Sequence, residues 1–469
     1  MNDRSARPPD DPQVEEPAPP PPVGVLGVPR RGWSTLKRGF WAVIPQRSIL
    51  RERPLQLLVG SRFLTESSQQ MLTYAALIAL GAESSLIAAL IMIATVAPQA
   101  MFGLFGGVIA DSIPKRLALM LGYGAQAAMC LSVPFLLGDS LLGVLGLIFL
   151  VYAVSQISAP AENAIVPLVV DQRSYTAANS WINFSITAGS VFGTVAVAPI
   201  LVKLFDVRPV FVVAAVFFAI GALRLLALRT PRKQVADPLK LDRQADFRYV
   251  FGWLGANRQA YLMLSLGVLA GAANFAMVML APRYTAEVLD NDPTNAVYIF
   301  WTSGLGLILG LVVGSPIIGV LGSWNSAVFG FGLITASLFL LGVIDVTVTL
   351  LDPTGLLTAY KLGFLPITDR MAAAALMALP LGFGITVAGL AAQSYLNQAV
   401  PESLQGRVFS VYLVLRNGSA IIPLLAMGLI AEITGVQVVT ALAPFLLLGL
   451  AIYAARLHAR WSRSLDPNL

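Results

Sequence analysis

The sequence predicts an all-α membrane protein of twelve transmembrane helices in two pseudo-symmetric six-helix halves. Three observations carry this expectation. Apolar residues make up 57% of the 469 positions and charged residues only 12%, against roughly a quarter charged in soluble domains. A soluble fold could bury such a core but could not cover it. The apolar residues also run on in long stretches rather than stripes. Twelve spans of about 22 residues use up the whole apolar content, since each crossing needs about 20. The alternating ten-residue segments of a transmembrane barrel are absent. Finally, the charges cluster: 15 in residues 1–53, 10 in 229–258 and 4 in 456–466. These stretches read as a tail, a central linker and a C-terminus.

Residues 1–30 carry nine prolines and almost no large apolar side chains, a composition that cannot build a core and predicts disorder. The stretch lacks the apolar core and cleavage site of a signal peptide. Trp33, Leu36, Phe40, Val43 and Ile44 share one helical face opposite Arg38, with Lys37 at its edge. That pattern suits a short helix lying on the cytoplasmic membrane surface. Residues 1–54 thus form a tail plus a basic amphipathic segment. The first half, 55–228, is expected to hold spans at 55–80, 85–109, 116–138, 141–160, 175–201 and 208–228. A basic linker occupies 229–258. The second half, 259–457, holds spans at 260–281, 295–320, 324–345, 371–399, 405–431 and 436–457, and 458–469 is a cytoplasmic tail.

Positive charge fixes the expected orientation. With both termini in the cytoplasm of a cell (inner or plasma) membrane, the inside segments from Lys37 onward carry 19 Lys and Arg. The outside loops carry five: Lys203, Arg208, Arg283, Lys361 and Arg370. The formal charge of +6 therefore reflects topology and not nucleic-acid binding. The single cysteine, Cys130, leaves no disulfide or cysteine-based metal site within one chain. The single histidine, His458, lies near the C-terminus, so a proton relay in the membrane must use carboxylates. No catalytic constellation and no G-x-x-x-x-G-K-[ST] loop is found, so neither an enzyme nor direct use of ATP is expected. No cofactor or metal is expected.

A weak internal repeat supports two halves. Thr187-Ala188-Gly189-Ser190 aligns with Arg416-Asn417-Gly418-Ser419 at an offset of 229, and Gly60 with Gly267 at an offset of 207. The outer loop 346–370, opposite a minimal counterpart at 139–140, supplies the 22-residue difference. Two six-helix halves joined by a basic linker suit a secondary transporter. Gly306, Gly310 and Gly314 suit close helix packing. Pro98, Pro199, Pro316, Pro380 and Pro423 are expected to kink their helices.

The turn after the second span reads Gly107-Val108-Ile109-Ala110-Asp111-Ser112-Ile113-Pro114-Lys115-Arg116. It resembles the signature loop of the major facilitator superfamily, G-x-L-A-D-R-x-G-R-K, with Ser112 and Pro114 in place of its arginine and glycine. Two further stretches, Ala159-Pro160-Ala161-Glu162-Asn163-Ala164 and Val400-Pro401-Glu402-Ser403-Leu404-Gln405-Gly406-Arg407, resemble the branch holding bacterial macrolide and multidrug exporters and the enterobactin exporter. Glu162 stands where that branch usually has an arginine. The fifth span keeps Gly189 and Gly193 of the antiporter signature but has Thr194 for its proline. The resemblance implies the fold, alternating access, and a cytoplasmic gate network of Gly107, Asp111, Lys115, Arg116, Glu162 and Arg407.

An ionisable group at membrane depth costs at least ~2.5–3.5 kcal/mol on insertion scales and is a functional candidate by default. Arg62 and Glu66, four residues apart on one helical face, lie roughly 10–17 Å into the first span at ~1.5 Å per residue. Arg416 lies at similar depth in the eleventh. Either Glu66 takes and releases a coupled proton, with Arg62 or Arg416 setting its acidity, or Arg62 and Glu66 form a permanent structural pair. Gln156, Asn274, Gln393 and Asn397 belong to spans that line the cavity in the resembled family. They contact substrate or, as such groups more often do, bond a neighbouring helix. The expected activity is export of small amphipathic compounds of the drug, macrolide or siderophore class by a proton antiporter working as a monomer. The partners are then a small-molecule substrate, a proton and the lipid bilayer. A lipid or lysolipid translocator and a non-transporting sensor or scaffold are the alternatives.

Overall fold

The computed structural model describes residues 50, 52–136, 140–171, 174–205, 207–228, 247–361 and 367–465. The tail 1–30, the surface segment 33–44 and residues 229–246 of the linker lie outside them. The described residues are helical, with no strand among them. The predicted spans appear in order. Span 1 is Arg53–Ala76, prolonged by a π-helical segment Leu77–Gly81. Spans 2, 3 and 4 are Ser85–Ser112, Lys115–Leu136 and Leu141–Val169. Span 5 joins Tyr175–Val191, a π-helical segment Phe192–Val197 and Ala198–Phe205, and span 6 is Arg208–Leu226. Span 7 is Arg258–Glu287, and spans 8 and 9 share the run Val297–Gly342. Span 10 is Asp369–Ala399, span 11 joins Glu402–Gly418 and Ile421–Thr434, and span 12 is Val436–Leu465. Among the described residues, eight helical stretches are long and apolar enough to cross a membrane, one of them covering both spans 8 and 9. The protein is embedded in a membrane.

Hydroxyl side chains start several spans where loop becomes helix. Ser84, Ser140 and Thr368 accept the amides of Ile87, Gly143 and Met371 at 3.2–3.3 Å, satisfying donors a helix start leaves open. Gly322 (φ 77°, ψ 161°) breaks the run Val297–Gly342 into spans 8 and 9, a backbone conformation open to glycine alone. Pro199 follows the π-helical segment of span 5. Its missing N–H and its ring both disturb the preceding turn, which widens there.

Three differences from the sequence reading have physical causes. Span 4 runs to Val169 and not to Pro160, because a proline inside a membrane helix removes one N–H and neighbouring elements absorb the loss. Span 11 is interrupted between Gly418 and Ile421, a discontinuity that composition does not reveal. Part of the expected linker is the helix Phe247–Ala256. Val250 and Leu254 from this helix pack against Leu264, Leu396, Val408 and Tyr412.

Span 1 is the least apolar of the first half, and protein surrounds it. Ser61, Thr65, Glu66, Ser67, Ser68 and Gln69 are all buried. It packs on spans 5 and 6, span 3 packs on 4 and 6, and span 2 on 4. In the second half, the 297–342 run packs on spans 10 and 12, and span 7 on span 10. Across the halves, span 2 meets span 11 and span 5 meets span 8. One glycine shows how tight the second half is. A Cβ on Gly306 would lie 2.1 Å from the Leu379 carbonyl oxygen in span 10, whereas a Cβ on Gly332 meets nothing within 4 Å. Gly306→Ala is expected to lower unfolding stability by ~1–3 kcal/mol, the usual cost of overpacking. Gly332→Ala should show no loss in the same denaturation assay. Equal behaviour of the two would contradict this packing.

The halves are joined at the end where the outer loops are expected. One apolar cluster combines Leu77, Ala88 and Met92 of the first half with Met279, Tyr284, Leu289 and Leu424 of the second. Another combines Met71, Tyr74 and Phe211 with Ala281, Ala296 and Phe300. At the opposite end, the described clusters stay within one half: Leu58, Tyr123, Ile165 and Leu225 in the first, and Val250, Leu264, Val408 and Tyr412 in the second.

Candidate functional site

Spans 1 and 4 bring three charged side chains together inside the first half. The helical register of span 1 sets Arg62 under Glu66, and the guanidinium Nη2 lies 3.1 Å from Glu66 Oε2. Its Nε faces Glu162 Oε2 of span 4 at 3.4 Å, an ion-pair distance without hydrogen-bond alignment. Glu66 and Glu162 are 7% and 4% exposed, so the cluster is dry. With both carboxylates ionised its formal charge is −1, and one added proton makes it neutral. Gln70 donates to Glu66 Oε1 at 3.0 Å, and the Tyr152 and Thr73 hydroxyls bond each other at 3.1 Å nearby. Gly189 of span 5 lets the helices close here, since its Cβ would stand 3.2 Å from the Glu66 Cβ.

Arg416 sits apart, in the last turn before the interruption of span 11. It lies against Gly271 of span 7, where a Cβ would meet its Cγ at 2.7 Å. Its Nε is buried without a hydrogen-bond partner. No described carboxylate lies within ion-pair distance of it. The structure therefore brings Arg62, Glu66 and Glu162 together and leaves Arg416 outside that cluster.

The residues expected at a cytoplasmic gate divide. Glu162 stands with Arg62 instead of the loop. Arg116 donates from Nε to the Leu225 carbonyl at 2.9 Å and from Nη2 to the Leu226 carbonyl at 2.6 Å. It thereby ties span 3 to the open carbonyls ending span 6 of its own half. Lys115 is half-buried. The backbones of Gly107 and Asp111 belong to span 2 and that of Arg407 to span 11, and their side chains lie outside the described residues. Among the polar candidates, Gln156 donates to the Tyr152 carbonyl at 3.0 Å and to the Ser155 hydroxyl at 3.3 Å. Its Oε1 lies 3.8 Å from where a Cβ on Gly103 would stand, and that Cβ would also meet Val414 of span 11. Asn274 is half-buried one turn beyond Gly271 on the same face of span 7. Gln393 and Asn397 are exposed on span 10.

The sequence reading missed a second polar cluster, at the joined end. Glu432 of span 11 reaches across to the start of span 2. Its Oε2 accepts the Ser85 amide at 2.8 Å, the Leu86 amide at 3.4 Å and the Ser84 hydroxyl at 3.1 Å. Arg283 of span 7 pairs with both Glu432 and Glu287 and donates to the Ser85 hydroxyl at 3.0 Å. Lys203 of span 5 donates to Asn295, and Tyr74 to the Thr294 carbonyl at 3.1 Å. In the adjoining turn, the Thr294 hydroxyl and amide donate to Asp292 and hold its carboxyl below the ordinary carboxylate range. The available signal was an acidic residue in the otherwise apolar end of span 11.

The Major Facilitator Superfamily sequence profile matches residues 58–423. No curated protein matches the chain. Solved structures share its fold at low identity. A mutant of the nucleoside transporter NupG superposes with a TM-score of 0.67 at 12% identity, covering 86% of this chain and 98% of that one. A POT family transporter in complex with 5-aminolevulinic acid gives 0.65 at 16%, covering 87% and 97%. A bacterial homolog of the human lysosomal transporter Spinster, in an inward-facing and occupied conformation, gives 0.62 at 13%, covering 86% and 96%.

Proposed function

This chain belongs to the Major Facilitator Superfamily and is a membrane transporter, and from that premise we propose that it is a secondary active exporter coupled to protons. Its cargo is a class of small amphipathic compounds, and it works in a cell membrane with both termini cytoplasmic. One observation supports the coupling: a buried arginine shared by two carboxylates, Glu66 and Glu162, on different spans. A buried charge imbalance is costly in a low-dielectric setting. A cluster that alternates between −1 and zero is therefore sensitive to whether water can deliver a proton. All three side chains belong to the first half. Rocking the two halves changes the access of water to the cluster without pulling its members apart.

Transport is tested by reconstituting the protein, screening amphipathic compounds by ligand-induced thermal shift, and measuring counterflow of each hit in vesicles. The expected result is saturable counterflow of at least one hit. Vesicles in which no hit exchanges would favour the non-transporting sensor instead.

A further inference from the structure

We propose that Arg416 is the receptor for an oxyanion head group, a carboxylate or phosphate, on an amphipathic cargo. This deepens the transport reading above and rests on it. Arg62, the other cation set well inside a span, has two carboxylates within ion-pair distance, and Arg224 near the end of span 6 donates to the Gln56 carbonyl at 2.8 Å. Arg416 has no carboxylate within ion-pair distance among the described residues, and its Nε is buried without a hydrogen-bond partner. Tyr412 stands one helical turn before Arg416 on the same face of span 11, and the backbone of Gly271 lets the arginine lie close to span 7. Glycine matters here because any Cβ would collide with the arginine stem at 2.7 Å.

A guanidinium offers a planar fork that matches two oxygens of one oxyanion. A half-buried cation with an unused, buried donor gains from a ligand of opposite charge. The helix of span 11 ends two residues later, at Gly418. Leu415 and Val268 of the facing span pack in one apolar cluster with Tyr412, so the surroundings suit an apolar tail more than a second charge.

Four probes test this: decyl phosphate, decanoate, decanol and inorganic phosphate. Each is titrated into the full-length protein in lipid nanodiscs and read by calorimetry, with empty nanodiscs subtracted. The two charged amphiphiles should bind saturably. Decanol should bind at least tenfold more weakly, because it lacks the oxyanion. Inorganic phosphate should also bind at least tenfold more weakly if the cargo is an amphiphile; binding equal to decyl phosphate would make the receptor one for free anions and overturn the amphiphile assignment. Arg416→Gln should lose tenfold or more for the charged amphiphiles while leaving decanol unchanged, and Arg416→Lys should fall between. If Arg416→Gln does not fold, the wild-type contrast of decyl phosphate with decanol decides alone. Equal binding of those two, or no binding of either charged amphiphile, overturns the proposal. Neither turnover nor a gradient is needed. Head-group selectivity without vesicle counterflow would therefore sink the transport reading and spare this one, and counterflow without selectivity the reverse.

Discussion

Replacing Arg62 with glutamine is expected to destabilise the protein by ~3–5 kcal/mol, the usual cost of stranding a buried charge. Glu66 and Glu162 both face that guanidinium, at 3.1 and 3.4 Å, and both are buried. Without it, two carboxylates share a dry site and repel one another. The triple variant Arg62→Gln/Glu66→Gln/Glu162→Gln removes the whole imbalance and should recover most of the lost stability. Chemical denaturation in one detergent compares the three proteins. A single variant as stable as wild type would mean that water solvates the carboxylates. A triple variant no better than the single would mean that Arg62 acts through packing and not charge.

Releasing the joined end should have the second large effect. Glu432 closes span 2 of one half onto span 11 of the other with three hydrogen bonds, and Arg283 anchors the same oxygen. Hydrogen bonds to a charged acceptor contribute ~1.5–3 kcal/mol when well shielded. This cluster is partly open to solvent, Glu432 being 38% exposed, so its worth is reduced by screening. Glu432→Ala should still shift the population away from this closed arrangement about tenfold. Ala281→Cys in a Cys130→Ser background reports it, because Ala281 is 5% exposed within the cluster that joins the halves. A membrane-impermeant maleimide should label it about tenfold faster once Glu432 is replaced. An unchanged rate would show that the apolar clusters hold this end closed without the charged latch.

Composition and run length gave the all-α membrane fold, because the requirement that each crossing satisfy its own backbone leaves few alternatives. Most spans followed to within a few residues, but spans 7 and 12 run on to Glu287 and Leu465, beyond the expected 281 and 457, and at span 4 proline misled. Pro160 reads as a stop in a soluble helix, yet span 4 continues to Val169. The pairing of Arg62 with Glu66 was legible because helical spacing alone dictates it. The partnership of Arg62 with Glu162 was not, since it depends on how span 4 is rotated against span 1, and loop motifs carry no such information. Glu162 attracted notice only as a sign reversal in a motif, which pointed to the loop and away from its contact. Arg283 looked like one of five outer-loop cations. Its role at the junction emerged only when spans 2, 7 and 11 were seen to converge.

The most direct test of the account is gradient-driven accumulation of a counterflow-competent compound in vesicles carrying a pH gradient, compared among wild type, Glu66→Gln and Glu162→Gln. The account predicts that wild type concentrates the compound, while each variant still exchanges it across the membrane but no longer concentrates it. Accumulation at the wild-type level in both variants would contradict a coupling role for the Arg62 cluster and leave it a structural ion network.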